Sequence, residues 1–103
     1  MKVYHNKLVR DKILDILKKK KVKFEFHVAK EEEFLNRLYE KLIEEINEFK
    51  EKPSVDEFAD IMEVLESIAR EHDFQLEEIK IAKKTKKMNR GGFNKKIVLD
   101  FTD

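Results

Sequence analysis

Across residues 30–72 apolar side chains recur every three or four positions, and the pattern breaks once, at Pro53-Ser54. No other feature constrains the fold as much. A 3.6-residue period on both sides of a short break specifies two helices that turn back on each other. "KEEEFLNRLYEKLIEEINEFKEK" reads as the first, with acids in its opening turn and lysines in its last, as the helix dipole favours. Ser54, with Glu57 three residues on, forms a capping box for the second, which is predicted to run to about His72.

Flanking segments read as follows. Asn6 is placed to cap a helix that begins "KLVRDKILDILKKKK", with Leu8, Val9, Ile13, Ile16 and Leu17 as its apolar stripe. In "VKFEFHVA" the period switches to two, which predicts a half-buried strand. "QLEEIKIAKKTKKMN" is a further helix that stops at Gly91-Gly92, and "KKIVLDF" a second short strand able to pair with the first. The expected architecture is mainly all-α: an antiparallel helical bundle built round a central αα-hairpin, with room for a short two-stranded β ribbon. Length predicts one domain over residues 1–103.

Lys+Arg 23 against Asp+Glu 22 leaves a net charge of +1, so no overall field selects nucleic acid or a membrane. The lysine-rich stretches at 18–21 and 83–87 lack interleaved aromatics and read as solvated helix ends, and the single "RGGF" reads as a turn. The absence of cysteine removes disulfides, thiolate metal sites and cysteine nucleophiles. No apolar run suits a signal peptide or a membrane span, which makes the cytoplasm the expected location. "FADIMEVLESIA" is apolar round most of its circumference, and such a helix wants neighbours on several sides. A helix-packed homo-oligomer is therefore expected.

The acids of the hairpin are the candidate site. At about 100° per residue, Phe34, Leu38 and Phe49 lie within roughly 40° of Glu45, and Glu48 sits about 60° to one side. On the next helix Ile61, Val64 and Ile68 fall within about 40° of Glu57, with Asp60 about 60° away. Each helix thus carries one acid at the centre of its apolar stripe and one at the edge. Four carboxylates converging in a partly buried space cannot all remain ionised alone. Several are protonated, cations pair with them, or a divalent metal lies among them. An all-oxygen donor set suits Mg²⁺, or Mn²⁺, rather than a soft metal. An E-x-x-E pair by itself is commonplace on a solvated face; two pairs, each centred in an apolar stripe, favour the metal.

"KLIEEINEF" followed by "DEFADIMEVL" resembles the E-x-x-E…E-x-x-D signature of the MazG-like and phosphoribosyl-ATP-pyrophosphohydrolase-like families of all-α nucleoside triphosphate pyrophosphatases. "KLVRDKI" and "RGGFNKKIVL" resemble the flanking blocks of their small single-domain branch, so the likeness spans Asn6 to Leu99. It implies Mg²⁺-dependent cleavage between the α- and β-phosphates of a canonical or damaged nucleoside triphosphate, with phosphoribosyl-ATP hydrolysis as the alternative, and a homodimer or dimer-based tetramer as the assembly. A non-catalytic helical dimerisation or nucleotide-binding module is the alternative of another class. The implied metal ligands are Glu45, Glu48, Glu57 and Asp60. Glu44 is implied to orient or deprotonate the attacking water, and Lys41 to hold a phosphate. Two departures stand out: a short gap between Glu48 and Glu57, and Leu14 where the branch commonly has proline.

Lys7, Arg10, Lys87, Arg90 and Lys96 are the candidate groups for substrate phosphates. Arg90 is the strongest of the C-terminal three, since the glycines after it permit close backbone approach. A solvated face explains Lys7 and Arg10 equally well, with Asp11 as a local salt-bridge partner, and surface solubility explains Lys87 and Lys96. His5, His27 and His72 have no metal-ligand spacing and read as incidental.

Overall fold

Pro53 stops one helix and Ser54 starts the next. In the computed structural model, which describes residues 1–103, α1 spans Ile13–Lys19, α2 Glu31–Glu51, α3 Val55–Glu71 and α4 Leu76–Arg90. The mainly all-α fold is as expected, and α2 and α3 pack together as the αα-hairpin. Ser54 is extended and its Oγ accepts a hydrogen bond from Glu57 N at 3.1 Å. The capping box is only half made: no bond returns from the Glu57 carboxylate, whose Oε2 is buried without a partner.

The chain forms two compact units, Met1–His72 and Asp73–Asp103. In the first, the antiparallel register of the hairpin can be followed from end to end. Phe49 and Phe58 meet edge to face at the turn, with ring centroids 5.7 Å apart. Tyr39 Oη lies 2.9 Å from His72 Nε2 at the open end. Between them sits a small core in which Leu38 and Val64 are the buried apolar side chains.

The segment before α1 departs from expectation. Asn6 caps nothing: it takes a left-handed φ of 45° and gives both its carbonyl and side-chain oxygens to Arg37, at 2.9 and 3.1 Å. Residues 7–10 therefore form no helix, and α1 begins only at Ile13. The competing interaction is tertiary, since Arg37 stands on α2, 31 residues away. α1 ends in a Schellman arrangement, Val22 N to Leu17 O and Lys21 N to Lys18 O, with Lys21 rather than glycine at φ 59°.

No strand forms, in residues 22–28 or in 95–101, so the β ribbon is absent. A two-stranded ribbon is marginal without a third layer. Phe24 instead turns half-buried, its ring 6.1 Å from that of Phe26.

In the second unit α4 stops where the glycines predict. Gly91 adopts φ 81°, and its N–H closes on Lys87 O at 2.9 Å. Lys87 and Arg90 occupy the last turn of α4, and Lys96 follows in a turn closed by its N–H on Phe93 O at 3.1 Å. No helix is long and apolar enough to cross a membrane.

Candidate metal centre

The half-made capping box points to the site. Glu57 stands in the first turn of α3 and its carboxylate faces α2, where Glu45 projects from the same stripe as Leu38. Asp60, one turn further along α3, completes the group. One carboxylate oxygen from each of Glu45, Glu57 and Asp60 lies within 4.8 Å of the other two. Glu45 is 5% exposed and is the one buried charged residue of the fold. Its Oε2, like Glu57 Oε2, has no hydrogen-bond partner. Two orphaned acceptors facing a third carboxylate are costly unless something positive lies between them.

The chain itself supplies part of that positive charge. Lys41, one turn before Glu45 on α2, brings its Nζ to 3.3 Å from Glu45 Oε1 and 3.6 Å from Glu44 Oε2. Arg10 reaches Asp60 Oδ1 at 2.7 Å, and Lys7 reaches Glu44 Oε1 at 2.9 Å. Residues 6–10 thus cross the hairpin beside the acids, fixed at one end by Arg37 and along their length by Lys7 and Arg10. Neither Lys7 nor Arg10 pairs with Asp11; each finds a carboxylate 37 or 50 residues away.

Adjacent acids on α2 respond in opposite directions. Burial pushes the Glu45 carboxyl up, with the charges of Glu48 and Asp60 adding to it and Lys41 opposing. The hydrogen bond from Lys7 holds Glu44 below the usual carboxylate range, and the Lys41 and Lys7 charges act in the same sense. Glu44 is therefore a firmly ionised anchor for two ammonium groups.

Of the residues marked in the sequence, the structure assembles Glu45, Glu57 and Asp60 with Lys41, Glu44, Lys7 and Arg10 around them. Glu48 is exposed and stands outside the close group of three, although its charge still acts on Glu45. Lys87, Arg90 and Lys96 belong to Asp73–Asp103 and are described with it. Sequence reasoning missed Arg37, which holds the crossing segment through Asn6; the signal available was the i,i+4 spacing of Glu33 and Arg37, paired at 3.3 Å. His27 joins that pair through Glu33 at 2.8 Å. They line a broad groove of about 690 Å³ over the first half of α2, where Glu33 joins His27 to Arg37.

The donor set fits a hard divalent cation: all oxygen, from two facing helices, with two acceptors lacking partners. No protein-family model matches the chain, nor does any curated protein or solved structure.

Proposed function

We propose that the α2/α3 hairpin carries a Mg²⁺-dependent nucleotide pyrophosphohydrolase site that splits a nucleoside triphosphate into monophosphate and pyrophosphate. One observation carries this reading: carboxylates from facing helices converge within 4.8 Å, and two of their buried oxygens lack partners. The MazG-like sequence blocks supply the reaction class. Mn²⁺ has the same ligand preferences and is the expected substitute.

Glu45, Glu57 and Asp60 would hold the ion, with exposed Glu48 at the margin. A hard divalent cation supplies charge neutralisation of a polyphosphate and makes water a stronger acid. The chain's own groups do the rest. Lys41 offsets the buried charge of Glu45 and presents an ammonium beside the acids. Lys7 and Arg10 sit on an irregular, exposed segment, so they can exchange a carboxylate for a phosphate oxygen without disturbing a helix. Glu44, with its carboxyl held ionised, positions Lys7 and Lys41. In the overall reaction a water oxygen bonds to the α-phosphorus, its bond to the bridging oxygen breaks, and pyrophosphate departs with a proton released to solvent.

The test is a panel of canonical and oxidised nucleoside triphosphates together with phosphoribosyl-ATP, each with and without Mg²⁺, products read by ³¹P NMR. Pyrophosphate with the matching monophosphate is expected, falling at least about 100-fold in Asp60→Asn. Mg²⁺ at 100 times its dissociation constant should also stabilise the wild-type chain by about 2.7 kcal/mol, and Asp60→Asn far less. Orthophosphate as product, or activity unchanged in Asp60→Asn, overturns the assignment. Metal-dependent nucleotide binding without turnover identifies a non-catalytic module instead.

A further inference from the structure

The near-neutral charge of the chain is the balance of two unlike units. Met1–His72 holds 15 Lys/Arg against 17 Asp/Glu, whereas Asp73–Asp103 holds 8 against 5. Within the second unit the segregation is sharper. No acid stands between Glu78 and Asp100, and all 8 of its cations fall in that stretch. At about 100° per residue, Lys80, Lys83, Lys84, Lys86, Lys87 and Arg90 lie within one arc of about 160° on α4. From Lys80 to Arg90 that arc contains nothing else. Ile81, Ala82, Thr85, Met88 and Asn89 take the rest of the circumference, and Glu77 and Glu78 also lie outside the arc. All six cations are exposed, and only Lys80 pairs with a carboxylate, that of Glu77 at 3.6 Å.

Such a face works against its own helix. Seven pairs of these cations stand three or four residues apart, and like charges at that spacing repel. The helix dipole favours cations in the last turn only, which accounts for Lys87 and Arg90 and leaves the other four without a local reason. Solubility does not require one-sidedness either. On α2 the same chain sets cations beside acids, as in Arg37–Glu33 and Lys41–Glu45. Lys95 and Lys96, beyond Gly91-Gly92, are exposed as well and carry the charge past the end of α4.

We infer that the basic face of α4 binds the phosphodiester backbone of a double-stranded nucleic acid, without regard to sequence. Charge complementarity supports that occupant. Lys80 to Arg90 covers about 15 Å of helix axis, and a duplex presents one phosphate charge for about every 1.7 Å of its own. Six cations over that length can each meet a phosphate. The make-up of the face suits backbone rather than bases: five of the six are lysines, point charges on flexible stems, and no Asn, Gln, Ser or Thr shares their arc. No aromatic stands on α4 to stack an unpaired base, which sets a duplex ahead of a single strand. A bilayer fits worse. A membrane-surface helix needs a broad apolar face, and the far side of α4 offers only Ile81, Ala82 and Met88, interrupted by Thr85, Asn89 and Glu78.

The inference does not rest on the metal site, and it is tested on the full chain in EDTA. Fluorescence anisotropy with DNA duplexes of two unrelated sequences, and with an RNA duplex, reads the binding and shows which backbone is preferred. The two DNA sequences should bind within about twofold of each other. The logarithm of affinity should fall with that of salt at a slope near −5, or about 1,000-fold between 50 and 200 mM, for about six phosphates. Lys83→Gln, Lys84→Gln and Lys86→Gln together should reduce the slope to about −3 and weaken binding at 50 mM salt at least about 100-fold. These side chains are exposed and unpaired, and their repulsion is removed, so circular dichroism should show helicity retained. Asp60→Asn should bind duplexes as the wild type does, which keeps this inference separable from the hydrolytic reading. Wild-type affinity in the triple variant, a slope shallower than about −2, or no binding at 50 mM salt overturns the inference. Uptake by phosphatidylserine vesicles with no binding to either duplex overturns it too, and assigns the face to a membrane.

Discussion

The two flanks of the hairpin solve opposite problems. On the polar flank, residues 6–10 lie against α2 and α3 through Lys7–Glu44, Arg10–Asp60 and Arg37–Asn6. Such partly exposed contacts are individually weak and are exchanged at little cost. The apolar flank has no internal cover, and its aliphatic surface cannot be hydrated without losing about 25 cal/mol for each Å² left in water. The difference teaches that one face is covered through ion pairs while the other leaves apolar side chains exposed. A ligand that arrives and leaves suits the flank whose covering segment is held by ion pairs.

Both flanks hang on one small core, and the largest effect is expected there. Leu38→Ala should cost about 2–5 kcal/mol, as for a buried leucine in other cores. In a chain with so little interior, that should abolish the cooperative thermal transition seen by circular dichroism. Any Mg²⁺ stabilisation should vanish with it. If it survived at wild-type strength, the acids would not rest on the anchor that the structure gives them.

A smaller effect, of the opposite sign, is expected at Glu45. Its folded pKa is raised, chiefly by burial, so its contribution to stability is fully present below the unfolded value of about 4.3. That contribution is lost as pH rises through the folded value. Glu45→Gln keeps the shape and removes the buried charge. Without divalent cations the variant should therefore be more stable than wild type near neutral pH, on the order of 1 kcal/mol. Urea melts at pH 4.5 and 7.5 check this: the gap between variant and wild type should open with pH. A constant gap would mean that charge is not what Glu45 costs the fold. With Mg²⁺ present the order should reverse, because wild type gains the ligand and the variant does not.

Much of this comparison is legible in the sequence. Periodicity placed α2 and α3, Pro53-Ser54 placed their turn, and the angular position of Glu45 and Glu57 within apolar stripes located the centre of the site. Glu48 and Asp60 looked equivalent, each three residues after a central acid, yet Asp60 joins the cluster and Glu48 remains exposed. The helical angle fixes direction round an axis but not how far one helix leans over the other. The roles of Lys7 and Arg10 were illegible for a different reason. Local rules offered Asp11, whereas the partners lie 37 and 50 residues away and are reached only because Asn6 bends left-handed onto Arg37. The missing strands show the limit of a two-residue period: alternation describes a surface a strand would like, and a strand also needs a neighbour.

The smallest effect tests the polar flank at its outermost contact. Lys7 lowers the Glu44 pKa mainly through the 2.9 Å hydrogen bond, and its own pKa is raised in return by the same contact. For a carboxylate whose folded pKa is depressed, the stabilisation is present above the unfolded value of about 4.3 and disappears as pH falls through the folded one. Lys7→Ala should therefore cost about 0.2–1 kcal/mol at pH 7, the low range being set by solvent exposure of the ammonium. The cost should shrink toward zero below about pH 4 and also in high salt, where the Debye length falls to about 3 Å at 1 M. Glu44 and Glu45 are neighbours in sequence, yet Lys7→Ala and Glu45→Gln should show pH slopes of opposite sign, read from urea melts between pH 3.5 and 7.5. If Lys7→Ala cost as much as Leu38→Ala, the contrast between an exchangeable polar flank and the core that anchors it would fail.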